Sequence, residues 1–293
     1  MDRAMRLGQF ELWPLSDGAF RLDGGQMFGV VPKVMWQKKA PADERNRIRM
    51  GLNGLLVRTG KHNILIETGI GERFDAKFAD IYHVEKSTSL PAELAGHGLG
   101  WSDIDIVINT HLHFDHCGWN TRREGGKVIP SFPRARYYVQ RGEWEHAEHP
   151  TLRDRASYIQ DLFEAAAEQM EFLAGDQEIV PGVSVEVLPG HNQHMQSVRI
   201  ESEGEQIYFI SDLVPMRPHL AYPWIASLDL YPLETLANKQ RLLPRLVEEK
   251  AIVVFPHDPD VPWARLVNRE GKIEAEELSH GEIAPSFVRK TFT

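Results

Sequence analysis

The sequence predicts an α/β protein in four layers, an αββα sandwich of two sheets packed face to face with helices on their outer faces. Three observations carry that expectation. Short apolar runs alternate with helix-like stretches in the order strands, helix, strands, helix, strand. Several runs are short and almost wholly apolar, as in strands covered on both faces. Glycine- and proline-containing turns separate them.

In chain order, residues 10–22 read as two short strands joined at Ser16-Asp17-Gly18. Residues 25–49 mix Met27, Phe28, Val30, Val31 and Trp36 with a charged stretch, and read as a long surface excursion whose residues 43–49 form a solvated face. Residues 52–57 and 63–66 flank Thr59-Gly60-Lys61 as a hairpin, and Gly69 and Gly71 mark a tight turn. Residues 73–90 lack a period and read as a second excursion. Residues 91–97 form a short helix ended by Gly98, and 105–109 and 136–140 are strands. Leu152, Ile159, Phe163, Ala166, Met170 and Leu173 fall at helical spacing, predicting a helix over 151–174 closed by Gly175. Strands follow near 183–188, 197–202 and 206–211. Residues 232–250 form a second long helix, opened by a proline and kinked at Pro244. Residues 252–255 are a last buried strand, and 264–276 a hairpin around Glu270-Gly271. No repeat or linker interrupts the pattern, so residues 1–293 read as one domain.

The bulk properties narrow the partners. With 42% hydrophobic and 26% charged residues the chain is ordinary for a soluble globular protein. A net charge of −9 repels phosphate backbones and anionic lipid, so neither nucleic acid nor a membrane is the expected partner, and a small molecule is. The N-terminus lacks the apolar core of a signal peptide, and no stretch has the length of a membrane span, so a cytoplasmic protein is expected. The single cysteine, Cys117, excludes an intrachain disulfide and reads as a small buried filler. Trp36, Trp119, Trp224 and Phe28 read as core, with the lining of a substrate pocket as the alternative, and His146 and His149 as solvated or capping residues flanking a helix start. The excursions are also candidates for a homodimer contact.

The chemistry is concentrated in His111-Leu112-His113-Phe114-Asp115-His116, which places three histidines and an aspartate just after the apolar run Ile106-Val107-Ile108. Sites in α/β folds gather where loops leave the carboxyl ends of strands. Imidazole and carboxylate are ligands for Zn²⁺, and Mn²⁺ and Fe²⁺ accept them too. One short loop does not easily wrap four ligands round a single ion, but it can present alternate side chains to two. Two ions need further ligands, and three more strand ends supply candidates: His191 after 185–190, Asp212 after 207–211, and His257 after 252–256.

This set resembles the metallo-β-lactamase superfamily, whose motif H-x-H-x-D-H is followed by a later histidine, a bridging aspartate and a final histidine. The resemblance runs from about Leu52 to His257. It implies the αββα sandwich and two divalent ions, with Zn²⁺ first and Mn²⁺ or Fe²⁺ as alternatives. It implies that His111, His113 and His191 bind one ion, that Asp115, His116 and His257 bind the other, and that Asp212 bridges them. The implied activity is hydrolysis of an ester or lactone bond by a metal-bridging hydroxide. Asp115 would orient the nucleophile and carry a proton to the leaving group. Glu67-Thr68-Gly69 is similar to the family's D-T-G turn, and the pattern is nearest the lactonase and organophosphate-hydrolase branches.

Two departures stand out. The family often reads G-H-T-P-G-H at the fourth ligand, and this chain has Gly190-His191-Asn192-Gln193-His194-Met195. Some lactonases place a tyrosine three residues after the bridging aspartate, where this chain has Pro215; His219 and Tyr222 are the nearby alternatives for holding a substrate carbonyl. Competing classes are an iron-dependent redox member of the same fold and a phosphotriester or thioester hydrolase. A nucleic-acid processing member would need an added domain and a basic groove, and neither is visible.

Overall fold

The computed structural model describes residues 3–279 and 284–285. The first part of the chain forms β1 (Arg3–Leu7), β2 (Phe10–Asp23), α1 (Gly24–Phe28), α2 (Lys33–Trp36), β3 (Arg47–Arg58), β4 (Asn63–Ile66), α3 (Ala76–Tyr82), α4 (Leu90–Gly96) and β5 (Ile106–Ile108). Next come β6 (Thr121–Glu124), β7 (Lys127–Pro130), β8 (Arg136–Gln140), α5 (Arg141–Glu148) and β9 (Met170–Leu173). The second part forms β10 (Gln177–Val180), β11 (Val183–Val187), β12 (Gln196–Ser202), β13 (Glu205–Phe209), α6 (Pro232–Glu248), β14 (Ile252–Val254), β15 (Trp263–Arg269), β16 (Lys272–Glu276) and β17 (Ala284–Pro285).

The strands make an eight-stranded sheet in the order β17-β1-β2-β3-β4-β5-β8-β9 and a seven-stranded sheet in the order β10-β11-β12-β13-β14-β15-β16. Strands β6 and β7 pair apart from both sheets. Side chains alternate between the two faces of a strand, and the short central strands are apolar on both. Ile106 and Ile108 of β5 and Ile252 and Val254 of β14 meet in the core between the sheets. Val107 points instead to the outer layer with Leu90 and Leu94 of α4. Val253 does the same on the other side, packing with Leu242, Leu243 and Leu246 of α6. A one-residue register slip would exchange these layers, so the sandwich is specified at every short strand. Among the described residues, no helix is long and apolar enough to cross a membrane.

Local expectations are revised in several places. Residues 10–22 are one continuous strand, not two. Its pairing with β3 shifts register between Ser16 and Ala19, and the expected turn is a bulge. The bulge carries Asp17 inward, where its carboxylate accepts from the amides of Ile70 (3.0 Å), Gly71 (2.9 Å) and Leu90 (2.9 Å) and from Trp119 Nε1 (2.9 Å). Lys86 Nζ completes the set at 2.7 Å. The 25–49 segment is only partly a surface excursion: α1 and α2 bury Met27, Phe28 and Trp36, while Val30 stays 90% exposed. Strand β3 begins at Arg47, five residues before the apolar run, and Arg47 pairs with Asp43 at 2.9 Å.

The helix expected over 151–174 does not form. That segment holds turns, two short 3-10 stretches and then β9, which pairs parallel with β8 through Tyr137↔Met170. Leu152, which began the helical pattern, is 85% exposed. Completing the sheet edge satisfies a row of backbone donors and acceptors, and that outweighs local helical spacing. His146 and His149 lie at the C-terminal end of α5, not at a helix start, and His146 Nε2 meets Asp154 Oδ2 at 2.5 Å. Helix α6 runs through Pro244.

Asp17 ties β2 to the turns that precede the histidine loop. Replacing it with alanine takes the carboxylate away from Lys86 and from four N–H donors, three of them backbone amides, and should lower the unfolding free energy by about 3–5 kcal/mol. Denaturant titration measures this, and a loss below about 1 kcal/mol would contradict the role.

Candidate metal centre

The histidine loop begins two residues beyond β5. Asn109 and Thr110 are fully buried, and the chain then turns at residues 111–116. Strands β4, β5 and β8 run parallel in one sheet, and β13 and β14 run parallel in the other. Their carboxyl ends therefore deliver loops to one edge of the sandwich. His191 arrives after β11 through Leu188-Pro189-Gly190, Asp212 on a 3-10 turn after β13, and His257 just after β14. Gly190 is required: its φ is +151°, and a Cβ there would lie 2.3 Å from the Thr235 hydroxyl.

All seven side chains come together. His111, His113 and His191 each place one ligand atom within 4.8 Å of the other two, and so do Asp115, His116 and His257. Asp212 stands between the sets, with Oδ2 3.4 Å from His191 Nε2 and Oδ1 3.3 Å from His257 Nε2. His113 Nδ1 faces His191 Nε2 at 3.1 Å, and His116 Nε2 faces His257 Nε2 at 3.1 Å. Asp115 Oδ2 lies 3.6 Å from His257 Nε2 and 3.9 Å from His116 Nε2. Ligands on tetrahedral arms of about 2.0–2.1 Å stand about 3.3 Å apart, so these separations suit a metal ion.

The tautomers test the fit. Carbonyl and carboxylate oxygens only accept. His257 Nδ1 therefore donates to the Gly51 carbonyl at 2.9 Å, and His191 Nδ1 to Asp229 Oδ1 at 3.0 Å. His116 Nδ1 is turned to Glu67 Oε1 at 3.3 Å. The Thr110 hydroxyl gives its hydrogen to Glu67, so His111 Nδ1 donates to Thr110 Oγ1 at 3.0 Å. In its neutral form each of these four rings has a lone pair on Nε2, turned inward. His111 Nε2 is buried with no partner, as is Asp212 Oδ1. A shared proton or a cation relieves facing lone pairs, and the donor set of imidazoles and carboxylates fits divalent metal ions.

The electrostatics carry the same demand. Burial, then the imidazoles of His116, His113 and His191, hold His111 well below the usual histidine range, in the neutral ligand form. Burial and His191 do the same to His113. Burial opposes charge on His116, but Asp212, Asp115 and Glu67 outweigh it and draw a proton onto that ring. Burial would raise Asp212, yet His257, His116 and His191 hold its carboxyl well below the usual range.

Several supporting residues have no sequence signature. Asp229 orients His191 and accepts at Oδ2 from the Thr235 hydroxyl (2.6 Å) on α6. Thr110 links Glu67 to His111 and accepts from the Ser211 hydroxyl at 2.7 Å. Glu67 and Ser211 hold φ of 63° and 56°, a strained backbone in the turns that feed the site. Glu67 was visible only through the resemblance of its turn, and Asp229, Thr235 and Thr110 gave no signal of motif or spacing.

The altered loop is closed by Asn192, which donates to Tyr158 Oη at 3.3 Å and accepts from the His194 amide at 3.2 Å. Tyr158 lies edge-on to His113 at 4.7 Å and reaches Glu143 at 3.2 Å. Pro215 serves through its carbonyl, which accepts the His257 amide at 2.9 Å. His219 is buried, stacks on Phe28 at 4.9 Å and meets the Met27 carbonyl through Nε2 at 2.7 Å. Burial pulls it down to about 4, so it is a packed, neutral ring. Tyr222 and Trp224 instead line a cavity of about 920 Å³ with Lys39, Arg49, Met216 and Arg217. None of the seven side chains lines this cavity, but Asp258, next to His257, does. Phe28, Trp36, Trp119 and Cys117 are buried, as expected. Phe78 and Tyr82 of α3 pack on Phe114, each at 5.1 Å, so the second excursion walls the histidine loop.

Replacing Asp229 with alanine frees the His191 ring without removing a ligand nitrogen. Metal affinity, measured against a chromogenic chelator, should fall about 10–100-fold. An affinity within twofold of the unaltered protein would rule out this orienting role.

Comparisons with known proteins bear on this geometry. The model of the Metallo-beta-lactamase superfamily matches residues 50–257. An N-acyl homoserine lactonase of Bacillus cereus is 29% identical over 219 residues, covering 69% of this chain and 79% of its own length. The crystal structure of a probable metal-dependent hydrolase from Staphylococcus aureus superposes with a TM-score of 0.88 at 29% identity, covering 94% of this chain and 99% of that one. AidC, a dizinc quorum-quenching lactonase in complex with a product, shares the fold with a TM-score of 0.78 at 22% identity, covering 95% and 97%. The family match begins in β3 and ends on His257, taking in every side chain of the cluster, and the chain belongs to the metallo-beta-lactamase superfamily.

Proposed function

We propose that this metal-dependent hydrolase opens the ring of a small lactone at a pair of divalent cations, zinc in the first instance. The observation that carries the reading is the paired geometry: of the three-residue groups at the site, the one containing His191 and the one containing His257 share no member, and the two oxygens of Asp212 are turned one to each. His111, His113 and His191 would hold one cation, Asp115, His116 and His257 the other, and Asp212 both. The Bacillus cereus lactonase supports the lactone over other esters. The core shared by the two sheets supports treating the chain as a single domain.

When bound, such a pair brings the pKa of water near neutrality and polarises the carbonyl that is attacked. The chain's own groups do the rest. Asp229, Gly51 and Glu67 hold three of the rings by the nitrogen opposite the reacting side, so their lone pairs stay aimed. Asp115 directs Oδ2 at His257 and His116, and its side chain is 10% exposed. Its other oxygen, Oδ1, takes the proton that water loses on adding to the acyl carbon. It returns that proton to the ring oxygen as the C–O bond breaks, so that one water adds across one ester bond. Phe20, edge-on to His257 at 5.7 Å, and Phe114 keep this side apolar and limit free water. The 920 Å³ cavity lined by Asp258 receives the arm of the substrate beyond the ring.

Exhaustive chelation should abolish lactone opening, and zinc or manganese should restore it together with about two metal ions per chain by elemental analysis. A panel of lactones, aryl esters, phosphotriesters and thioesters on the reloaded enzyme decides the bond class. Full activity in the chelated protein, or turnover of every class except lactones, sinks the proposal. Asp115→Asn should lower kcat by about 10²–10⁴-fold. A kcat within threefold of the parent would remove Asp115 from proton transfer.

A further inference from the structure

Lys239, in the middle of α6, has a fully buried side chain. Buried ammonium groups ordinarily sit against a carboxylate. This one donates to three backbone carbonyls, those of Ala221 (2.8 Å), Tyr222 (3.2 Å) and Trp224 (3.0 Å). An ammonium has three N–H donors, and all three are used. The same three residues line the 920 Å³ cavity, which Asp258, the residue after His257, also lines. They belong to a stretch without helix or strand, in which Trp224 N to Ala221 O (3.0 Å) is a local backbone tie. A methionine would fill the space of the lysine stem. What the ammonium adds is a hold on this wall.

One turn earlier on α6 stands Thr235, which shares a helix face with Lys239. Its hydroxyl holds Asp229, and Asp229 holds His191. Two neighbouring side chains of one helix thus grip the metal cluster and the cavity wall. We propose that Lys239 is a specificity-determining positioning residue: by gathering the carbonyls of Ala221, Tyr222 and Trp224 it fixes how far the cavity wall stands from the metal cluster, and so which substrate arms fit. The effect on substrate choice rests on the lactone reading above. The effect on the wall does not.

Two readouts test it on the full chain. In Lys239→Met, backbone amide hydrogen exchange across residues 217–228 should accelerate about tenfold or more, with the amides of β13 unchanged. On the metal-loaded enzyme, KM for a long-chain N-acyl homoserine lactone should rise about tenfold with kcat within about twofold, while kcat/KM for the bare γ-butyrolactone ring changes less than threefold. Unchanged exchange overturns the proposal. So does an equal loss on both substrates, or a loss of bound metal. If Lys239→Met does not fold, Trp224→Ala decides: Trp224 is only half-buried, and its removal should give the same selective rise in KM, whereas an unchanged KM overturns the link from wall to substrate. If the unaltered enzyme opens no lactone, the lactone reading fails and hydrogen exchange still tests the hold on the wall.

Discussion

His116 and His257 bring two ring nitrogens to 3.1 Å, each with its opposite nitrogen turned to an oxygen acceptor, Glu67 for one and the Gly51 carbonyl for the other. Between neutral rings two lone pairs at that distance repel, and a shared proton or a cation between them removes the repulsion. Four separate segments of the chain converge to hold this arrangement. Gly51 belongs to β3, Glu67 follows β4, His116 follows β5 and His257 follows β14. The pair therefore spans both sheets, and the apolar core between the sheets is what keeps it closed. A stiff scaffold under a preorganised ligand set leaves little rearrangement to be made when a cation binds.

The same economy governs the second ligand set. His191 is aimed by Asp229, Asp229 by Thr235, and Thr235 sits where Gly190 leaves room for it. Helix α6 therefore serves as more than a cover for the outer face of the second sheet. Its apolar side, with Leu242, Leu243 and Leu246, anchors it to β13 and β14, and its polar residues Thr235 and Lys239 reach into the loops beside the site. Asp17 does comparable work on the opposite flank, where one carboxylate gathers backbone amides from two loops next to Trp119.

What was legible in advance follows from how local each signal is. His111, His113, Asp115 and His116 were legible because four side chains of ligand type fall in six residues, and His191, Asp212 and His257 because each ends an apolar run. The central strands were legible because short, almost wholly apolar runs bounded by turn residues suit strands covered on both faces. Asp229, Thr110 and Gly51 were not, since an acceptor for an imidazole N–H can be any carboxylate, hydroxyl or backbone carbonyl that the fold brings near. The 151–174 segment misled because helical spacing of apolar residues is a local preference, whereas β9 is decided by the open edge of β8. The bulge at Asp17 misled for a related reason: a turn composition also suits a strand that must rotate one side chain inward.

The sequence by itself determined the layer architecture and the inventory of candidate ligand side chains. Strand periodicity and a six-residue motif are encoded along the chain, within the reach of a few bonds. Only the tertiary structure decided which nitrogen of each ring faces inward, that Asp212 lies between the two sets, and that His219 is packed away while Tyr222 and Trp224 wall a cavity. These depend on contacts between residues far apart in the chain, 206 positions for His257 and Gly51. The direction of a lone pair is set by whichever acceptor the folded core delivers to the far side of the ring.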